Sequence, residues 1–484
     1  PWSDSMRPTF RLNLVLALAA LASQPLAAQR PDSLSAEVRR YVTVDAPVVA
    51  LTRVTVIDGT GAMPKPDQTI VIQNGKIAAA GPTSRVRIPA GAQVLDLPGH
   101  TVIPGLIGMH NHLFYTAAGG RASQFSYTGP RLYLGSGVTT IRTTGGRAPY
   151  AEINSKEAID GGRIPGPRIH LTGPYVTGGA GGGSMAVVES PEAARRFVAY
   201  WGSEGATWIK AYTDIRGADL AAVIDEAHKR RMKVTGHLCS VSFQEAVALG
   251  IDNLEHGMLT ASDFDPARTP DICTPANIAP VRLGTADPAG PVAQETIRKM
   301  VERNVSMTST LVIYELFVAG RAKPDARTLE AMSPEVRDAY LAVRNQIDST
   351  GRGAFTLAAI RNAMTFERAF VAAGGLLAAG VDPTGLGGAL PGFGDQRNYE
   401  LLIEAGFTPA QAVQIMSANG AKILGVYDSL GSVEPGKLAD LVVLAGDLTA
   451  DPGVIRNVTT VFKDGIGYDS ARLIAAAKGR VGID

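Results

Sequence analysis

Histidine is scarce in this chain, and the positions of its histidines point to a metal site. The 484 residues include only seven histidines, and four of them lie at the ends of short apolar runs. His110 and His112 are separated by one residue, so in a strand both imidazoles would point to the same side. His237, His256 and Asp382 end three further apolar runs. Imidazole and carboxylate groups that meet at one edge of a fold are typical zinc ligands.

Each of these residues alone also has an ordinary structural explanation. Histidine pairs of this spacing are common without a metal, His256 precedes a glycine, and Asp382 precedes a proline as turn residues often do. Their joint arrangement on four strand ends nevertheless favours metal ligation. The other histidines have no such placement.

Lys210 ends another apolar run, where a charged ammonium group would be costly to bury. Reaction of the neutral amine with carbon dioxide would give an anionic carbamate that can bridge two metal ions. The alternative is a lysine that extends to solvent or pairs with a carboxylate. Tyr115 and Tyr212 lie just beyond ligand positions and are candidate substrate-binding residues, with ordinary packing at the rim as the alternative.

The apolar runs that carry these residues alternate with helical patterns, as in parallel β/α units. Eight runs predict an α/β fold, a (β/α)8 TIM-like barrel with its site at the carboxyl ends of the strands. The predicted strands are 101–107, 138–142, 168–172, 207–212, 233–238, 253–256, 305–311 and 375–382. The long segment 312–374 predicts an extra helical element near the mouth of the site.

Both ends of the chain are rich in β-branched residues, and Asn74-Gly75 between two such runs predicts a hairpin. We therefore expect a small β-sandwich domain built from residues 29–100 and 426–484, and a barrel of residues 101–425. Residues 1–28 have the basic, apolar and small-residue pattern of a signal peptide. That pattern predicts a periplasmic or secreted protein without a membrane anchor after cleavage.

Composition narrows the class of partner. Lysine plus arginine number 46 and aspartate plus glutamate 45, a balance that argues against a nucleic-acid-binding protein. A hydrophobic share of 45% excludes a disordered chain. Cys239 and Cys273 could pair in an oxidising compartment and close a loop of about 34 residues; two unrelated thiols are the alternative. We expect small-molecule substrates and a homo-oligomer.

The chain resembles the amidohydrolase superfamily, in its imidazolonepropionase-like and Xaa-Pro dipeptidase-like branch. The resemblance covers nearly all of the chain after residue 28, on the stretches 102–112, 210, 236–237, 254–257, 379–382 and 431–441. It implies a binuclear zinc site in which His110, His112 and Asp382 bind one ion. His237 and His256 then bind the second ion, and carboxylated Lys210 bridges both.

The resemblance also implies the reaction. A hydroxide between the metals would be the nucleophile, and Asp382 would accept its proton and deliver it to the leaving group. We expect hydrolysis of a C–N amide bond, in a dipeptide or an N-acyl amino acid. The alternatives are a mononuclear deaminase, a lactone or phosphoester hydrolase on the same barrel, and a non-catalytic metal-binding barrel.

Three stretches depart from the pattern of the family. Gly108 stands where aspartate is usual, Thr143-Thr144-Gly145 stands where Asp-Leu-Gly is common, and the glycine-rich loop 178–184 lacks a histidine. These departures leave the metal ligands intact and concern the substrate contacts. Without a following Lys-Ser or Lys-Thr, the glycine-rich loop is expected to be a mobile rim loop and not a phosphate-binding loop.

Overall fold

The computed structural model describes residues 33–120, 122–179, 185–321 and 325–483. The signal peptide predicted for residues 1–28 lies outside these residues, as does most of the glycine-rich loop. In chain order, the described strands are β1 Val42–Val44, β2 Val48–Val56, β3 Lys65–Gln73, β4 Lys76–Pro82, β5 Gln93–Asp96, β6 His100–Pro104, β7 Leu106–Asn111, β8 Phe114–Thr116, β9 Ala122–Gln124, β10 Val138–Thr143, β11 Arg168–His170, β12 Thr172–Thr177, β13 Ala186–Val187, β14 Trp208–Ala211, β15 Lys233–Gly236, β16 Asn253–Glu255, β17 Ser306–Ser309, β18 Leu377–Ala379, β19 Leu441–Ala445, β20 Val458–Lys463 and β21 Ile466–Asp469.

Helices surround the strands. In the described ranges the α-helices are α1 Ala36–Arg39, α2 Thr128–Gly135, α3 Pro149–Asp160, α4 Pro191–Ser203, α5 Gly217–Lys229, α6 Phe243–Leu249, α7 Ala279–Arg282, α8 Pro291–Glu302, α9 Leu311–Glu315, α10 Ala326–Ala331, α11 Pro334–Thr350, α12 Leu357–Ala372, α13 Phe393–Glu404, α14 Pro409–Ile415, α15 Ala418–Leu424 and α16 Ser470–Ala476. Helices α9 to α12 form the extra element predicted between the last two barrel strands. No helix in the described part of the chain is long and apolar enough to cross a bilayer.

Strands from both ends of the chain form one nine-stranded sheet among the described residues. Its order is β1-β21-β20-β19-β6-β2-β3-β4, and β5 also pairs with β2. Asn74 and Gly75 turn β3 into β4 with φ angles of 52° and 77°. Two consecutive positive φ angles are what the Asn-Gly hairpin signal predicts. The predicted meeting of the two β-rich ends is confirmed.

The strand predicted over residues 101–107 is two strands. Its first part is β6, which pairs with β19 in the end sheet, whereas β7 pairs with β10 among the barrel strands. Gly105 separates them, and a Cβ on Gly105 would lie 2.2 Å from Thr139 Oγ1. The close approach at this junction therefore requires glycine. The prediction merged the two strands because both are apolar and one residue separates them.

The parallel strands follow one another in barrel order. One sheet contains β7, β10 and β11, and a second contains β13, β12, β14, β15, β16, β17 and β18. The strand predicted over 168–172 is divided at Leu171, because β11 pairs with β10 and β12 pairs with β14. Beyond β18, the Asp382 N–H donates to the His110 carbonyl at 2.8 Å, which brings the last unit beside the first. The fold is a TIM-like barrel.

Strand β19 joins the end sheet to the barrel. Leu441 and Val443 pack in the apolar cluster of the end sheet, whereas Val442 and Leu444 pack in the main core. This division follows from the alternation of side chains along a strand.

Cys239 and Cys273 form a disulfide with their Cα atoms 5.3 Å apart, which confirms that prediction. It joins the chain just after β15 to the segment between β16 and α7. Asp271 in that segment also donates its N–H to the Ser240 carbonyl at 3.1 Å. The segment is thereby fixed against the end of β15, next to His237.

Candidate active site

His110, His112 and Asp382 form the centre of the candidate site. One ligand atom from each lies within 4.8 Å of the others, and all three residues are buried. His110 Nε2 is 3.6 Å from Asp382 Oδ2, and His112 Nε2 is 3.3 Å from Asp382 Oδ1. His110 is on β7, His112 follows it, and Asp382 follows β18. Adjacent barrel strands therefore bring together ligands that are far apart in the sequence.

Hydrogen bonds at Nδ1 orient the imidazoles. The contacts join His110 to Glu255 Oε2 at 2.7 Å, His112 to the Gly145 carbonyl at 3.0 Å, and His256 to Thr310 Oγ1 at 2.7 Å. Donation of an N–H from Nδ1 leaves Nε2 as the ring nitrogen with a lone pair. That tautomer is the one in which Nε2 can bind a metal ion.

Lys210, His237 and His256 lie beside this centre. The His256 ring is 4.4 Å from that of His110 and 4.5 Å from that of His237, measured between centroids. Lys210 Nζ and His256 Nε2 are buried and have no hydrogen-bond partner in the described residues, and Lys210 Nζ is 4.0 Å from the Glu255 carboxylate. Buried polar atoms are nearly always paired. Two orphaned nitrogens beside three convergent ligands therefore fit a site for divalent metal ions.

Burial and neighbouring charges determine the protonation of the side chains at the site. Burial lowers the pKa of His237 to about 3 and holds that of His110 well below its ordinary value. Burial likewise lowers the pKa of Lys210 to about 8, so that part of its amine is uncharged near neutral pH. Burial alone would raise the pKa of Asp382, but its interactions with His110 and His112 outweigh this and lower it. The site thus presents the neutral imidazoles of His110 and His237 beside the Asp382 carboxylate.

A carboxylate behind the ligands was missed by sequence reasoning. Glu255 on β16 accepts a hydrogen bond from His110 and pairs with Arg142 on β10, and both charges are buried. Burial would raise the pKa of Glu255, but Arg142 and Lys210 lower it. The available signal was an arginine inside the apolar strand 138–142, since a buried guanidinium needs a partner.

A cavity of about 560 Å³ lies over the ligands. Tyr212 lines it, with its ring centroid 4.7 Å from that of His237. Tyr115 is fully buried, donates its hydroxyl to the Gly387 carbonyl at 2.9 Å, and is not among the residues that line the cavity. Sequence reasoning missed much of the aromatic lining, namely Phe114, Tyr175, Tyr314, Phe317 and Phe355.

Comparisons with known proteins agree with this geometry. Residues 101–467 match the model of the amidohydrolase family. The chain is 26% identical over 394 residues to a dihydroorotase of Pelotomaculum thermopropionicum, in an alignment that covers 79% of this chain and 86% of that protein. Its fold is similar to that of a candidate prolidase from Bifidobacterium longum, with a TM-score of 0.62, 26% identity, and coverage of 89% of this chain and 98% of the other.

A second solved structure, a Xaa-Pro dipeptidase with methionine bound in its active site, has a TM-score of 0.63 and 22% identity. That comparison covers 87% of this chain and 100% of the other. At this identity it supports the fold alone. The family match spans most of the chain and includes every ligand discussed above, so the chain belongs to the amidohydrolase family and is a hydrolase.

Proposed function

We propose that this enzyme is a binuclear zinc amidohydrolase that cleaves a C–N amide bond of a dipeptide or an N-acyl amino acid. The observation that carries the proposal is the convergence of His110, His112 and Asp382 within 4.8 Å. The orphaned Lys210 Nζ and His256 Nε2 beside them support a second metal position. The dihydroorotase and prolidase named among the similar proteins support the choice of a C–N bond.

Six side chains would hold the two ions. His110, His112 and Asp382 would bind one, His237 and His256 the other, and Lys210 would bridge them as a carbamate. The uncharged fraction of the Lys210 amine, which follows from its pKa of about 8, is the form that reacts with carbon dioxide. When bound, the ions would polarise the scissile carbonyl and lower the pKa of a water molecule.

Asp382 would move the proton. Its lowered pKa keeps it ionised at neutral pH, ready to accept a proton from the attacking water and to pass it to the leaving amine. The Thr384 hydroxyl donates to Asp382 Oδ1 at 2.9 Å and holds the carboxylate in place.

Tyrosine hydroxyls would bind the substrate. Burial raises the pKa of Tyr212 to about 12, and it holds the pKa values of Tyr175 and Tyr314 above their ordinary value. These phenols therefore stay protonated and can donate to a carbonyl or carboxylate oxygen. Tyr175 Oη is already 3.4 Å from His112 Nε2. Tyr115 would support the site from outside the cavity, through its hydrogen bond to the Gly387 carbonyl.

Metal analysis combined with a substrate screen tests the proposal. We expect two zinc ions per chain, together with hydrolysis of members of a dipeptide and N-acyl amino acid panel. Chelation should remove the zinc and abolish the hydrolysis, and added zinc should restore the metal content and the hydrolysis. Hydrolysis unchanged by complete chelation would refute the proposal. One zinc per chain with an unmodified Lys210 would favour the mononuclear alternative, and a lactone panel measured in parallel would reveal an esterase.

The location and domain organisation are also proposals. We propose export to the periplasm or the medium under the signal of residues 1–28, which the disulfide supports because such bonds persist in oxidising compartments. We further propose that residues 29–100 and 426–484, together with β6 at His100–Pro104, form a β-sandwich domain beside the barrel, in a homo-oligomer. Fractionation of cells tests the proposed export, and light scattering of the purified protein tests the proposed homo-oligomer.

A further inference from the structure

Two arginines line the cavity and have no part in the chemistry above. Arg147 follows β10, and Arg282 ends α7 in the connection between β16 and β17. These connections follow the second and the sixth strand units, so they lie on opposite sides of an eight-unit barrel. In the described part of the chain, neither guanidinium has a hydrogen bond or an ion pair. Asp382 is the one acidic side chain among the described residues that line the cavity, so the two guanidinium groups outnumber the carboxylates there.

Arg282 is the better placed of the two arginines for binding a ligand. It is half-buried, whereas Arg147 is exposed. Its guanidinium carbon lies 5.4 Å from the centroid of the Phe355 ring, which packs against Tyr314 at 4.7 Å. Tyr314 in turn packs against His256 at 5.5 Å. Two aromatic rings therefore connect Arg282 to the histidines of the site.

The backbone that presents Arg282 is fixed at both ends. The Arg282 carbonyl accepts a hydrogen bond from the Thr356 N–H at 3.3 Å, just before α12. Asn362 on α12 donates to the Gly284 carbonyl at 3.0 Å. The other end of the segment is fixed by the disulfide to the chain after β15. A side chain on such a support loses little freedom when it binds a ligand.

An unpaired guanidinium at a cavity wall is suited to binding a planar anion through two parallel hydrogen bonds. We propose that Arg282 binds the carboxylate of the leaving amino acid, and that the side chain of this amino acid is apolar and packs on Phe355 and Tyr314. This inference rests on the proposed amide hydrolysis, and it adds a residue that determines specificity. Arg147, which lies over Phe114 at 5.3 Å, is the competing candidate.

Calorimetric binding of two matched probes tests the assignment. N-acetyl-L-leucine carries the carboxylate, and N-(3-methylbutyl)acetamide is the same amide without it. We expect the folded wild type to bind the acid at least about tenfold more tightly, as for a charge-assisted hydrogen-bonded pair. Arg282→Met should abolish this preference and leave the affinity for the neutral amide unchanged, because methionine keeps the contact with the aromatic ring.

Matched variants keep the test decisive. Arg303→Met removes an exposed arginine outside the cavity and should leave the preference intact. Arg282→Lys retains the charge without the planar guanidinium and should keep part of the preference for the acid. This variant therefore controls for a folding defect in Arg282→Met. A preference that survives in Arg282→Met, or one that is lost in Arg147→Met instead, would overturn the assignment.

Hydrolysis of the same probes separates this inference from the proposed function. An Arg282-dependent preference in a protein that hydrolyses no amide of the panel would refute the proposed function and support the binding role. Hydrolysis of both probes with equal KM would support amide hydrolysis and refute the role of Arg282.

Discussion

The disulfide between Cys239 and Cys273 provides a quantitative test of how the wall of the site is held. Replacing both cysteines by serine removes the cross-link with little change in side-chain volume. The pair is separated by 34 residues. The loop-closure entropy of such a loop corresponds to about 3.8 kcal/mol at 25 °C, so the free energy of unfolding should fall by about that amount.

The contacts that remain cannot replace the cross-link. Arg268 pairs with Glu245 at 2.7 Å, but the Glu245 side chain is 42% exposed, and ion pairs open to solvent contribute about 1 kcal/mol or less. The Asp271 carboxylate accepts a single hydrogen bond from the Gly217 N–H at 2.6 Å, and the Asp271 N–H donates one to the Ser240 carbonyl at 3.1 Å. The loss should therefore appear first as local opening of residues 262–285, the segment that ends near Arg282.

Urea unfolding and limited proteolysis measure the two effects. The oxidised wild type, the reduced wild type and the double serine variant should be compared at one pH. We expect the reduced protein and the double variant to share one lower midpoint and to be cleaved faster within residues 262–285. Each single serine variant should be as unstable as the double variant, because either change removes the same bond. Equal midpoints and equal cleavage for oxidised and reduced wild type would refute the reasoning.

Four further changes test other parts of the structure. Lys210→Ala should lose activity and the second metal ion, with partial rescue by added formate; full activity in this variant would exclude a bridging role. Glu255→Gln should weaken metal affinity by about 10–100-fold in a chelator competition, because the hydrogen-bonded partner of His110 loses its charge; unchanged affinity would contradict this. Gly105→Ala should lower the free energy of unfolding by about 1–3 kcal/mol through its clash with Thr139, and an unchanged urea midpoint would show that the junction can adjust. Burial raises the pKa of Glu152 to about 8, so the proton it binds stabilises the fold fully below about pH 4.5 and that contribution is lost as the pH rises toward 8, at about 1.4 kcal/mol per pH unit. Glu152→Gln should therefore gain stability relative to wild type between about pH 5 and pH 8 in thermal scans; a constant difference would contradict it.

The positions of the candidate ligands could be predicted from the sequence because a barrel strand ends where its inward side chain meets the site. His110 and His112 needed only the two-residue period of a strand, and His237 and His256 follow β15 and β16 directly. The predicted boundaries of the strands were less accurate than the predicted positions of the candidate ligands. The predicted strand 375–382 is β18 at Leu377–Ala379, since the chain leaves the sheet before it reaches Asp382.

The walls of the cavity could not be predicted in the same way. Tyr314 and Phe355 come from the segment between β17 and β18, whose helices pack over the site through tertiary contacts that leave no periodic signal. Arg282 ends a helix of four residues inside a long connection. Its pairing with Phe355 joins residues from two separate connections. Cavity-lining residues of this kind can be recognised only once the topology shows that their connections lie on the same rim of the barrel.

Two candidate ligands have unusual backbone geometry, which explains why a turn residue and a metal ligand were hard to tell apart in the sequence. His256 and Asp382 have φ angles of 71° and 48°, in the left-handed region that costs most residues about 1–2 kcal/mol. Histidine and aspartate are among the residue types enriched there. Each residue follows the end of its strand, where the chain must leave the sheet and the side chain must turn inward. A turn former and a candidate ligand therefore coincide at each of these positions, and the barrel framework holds both side chains at the candidate site.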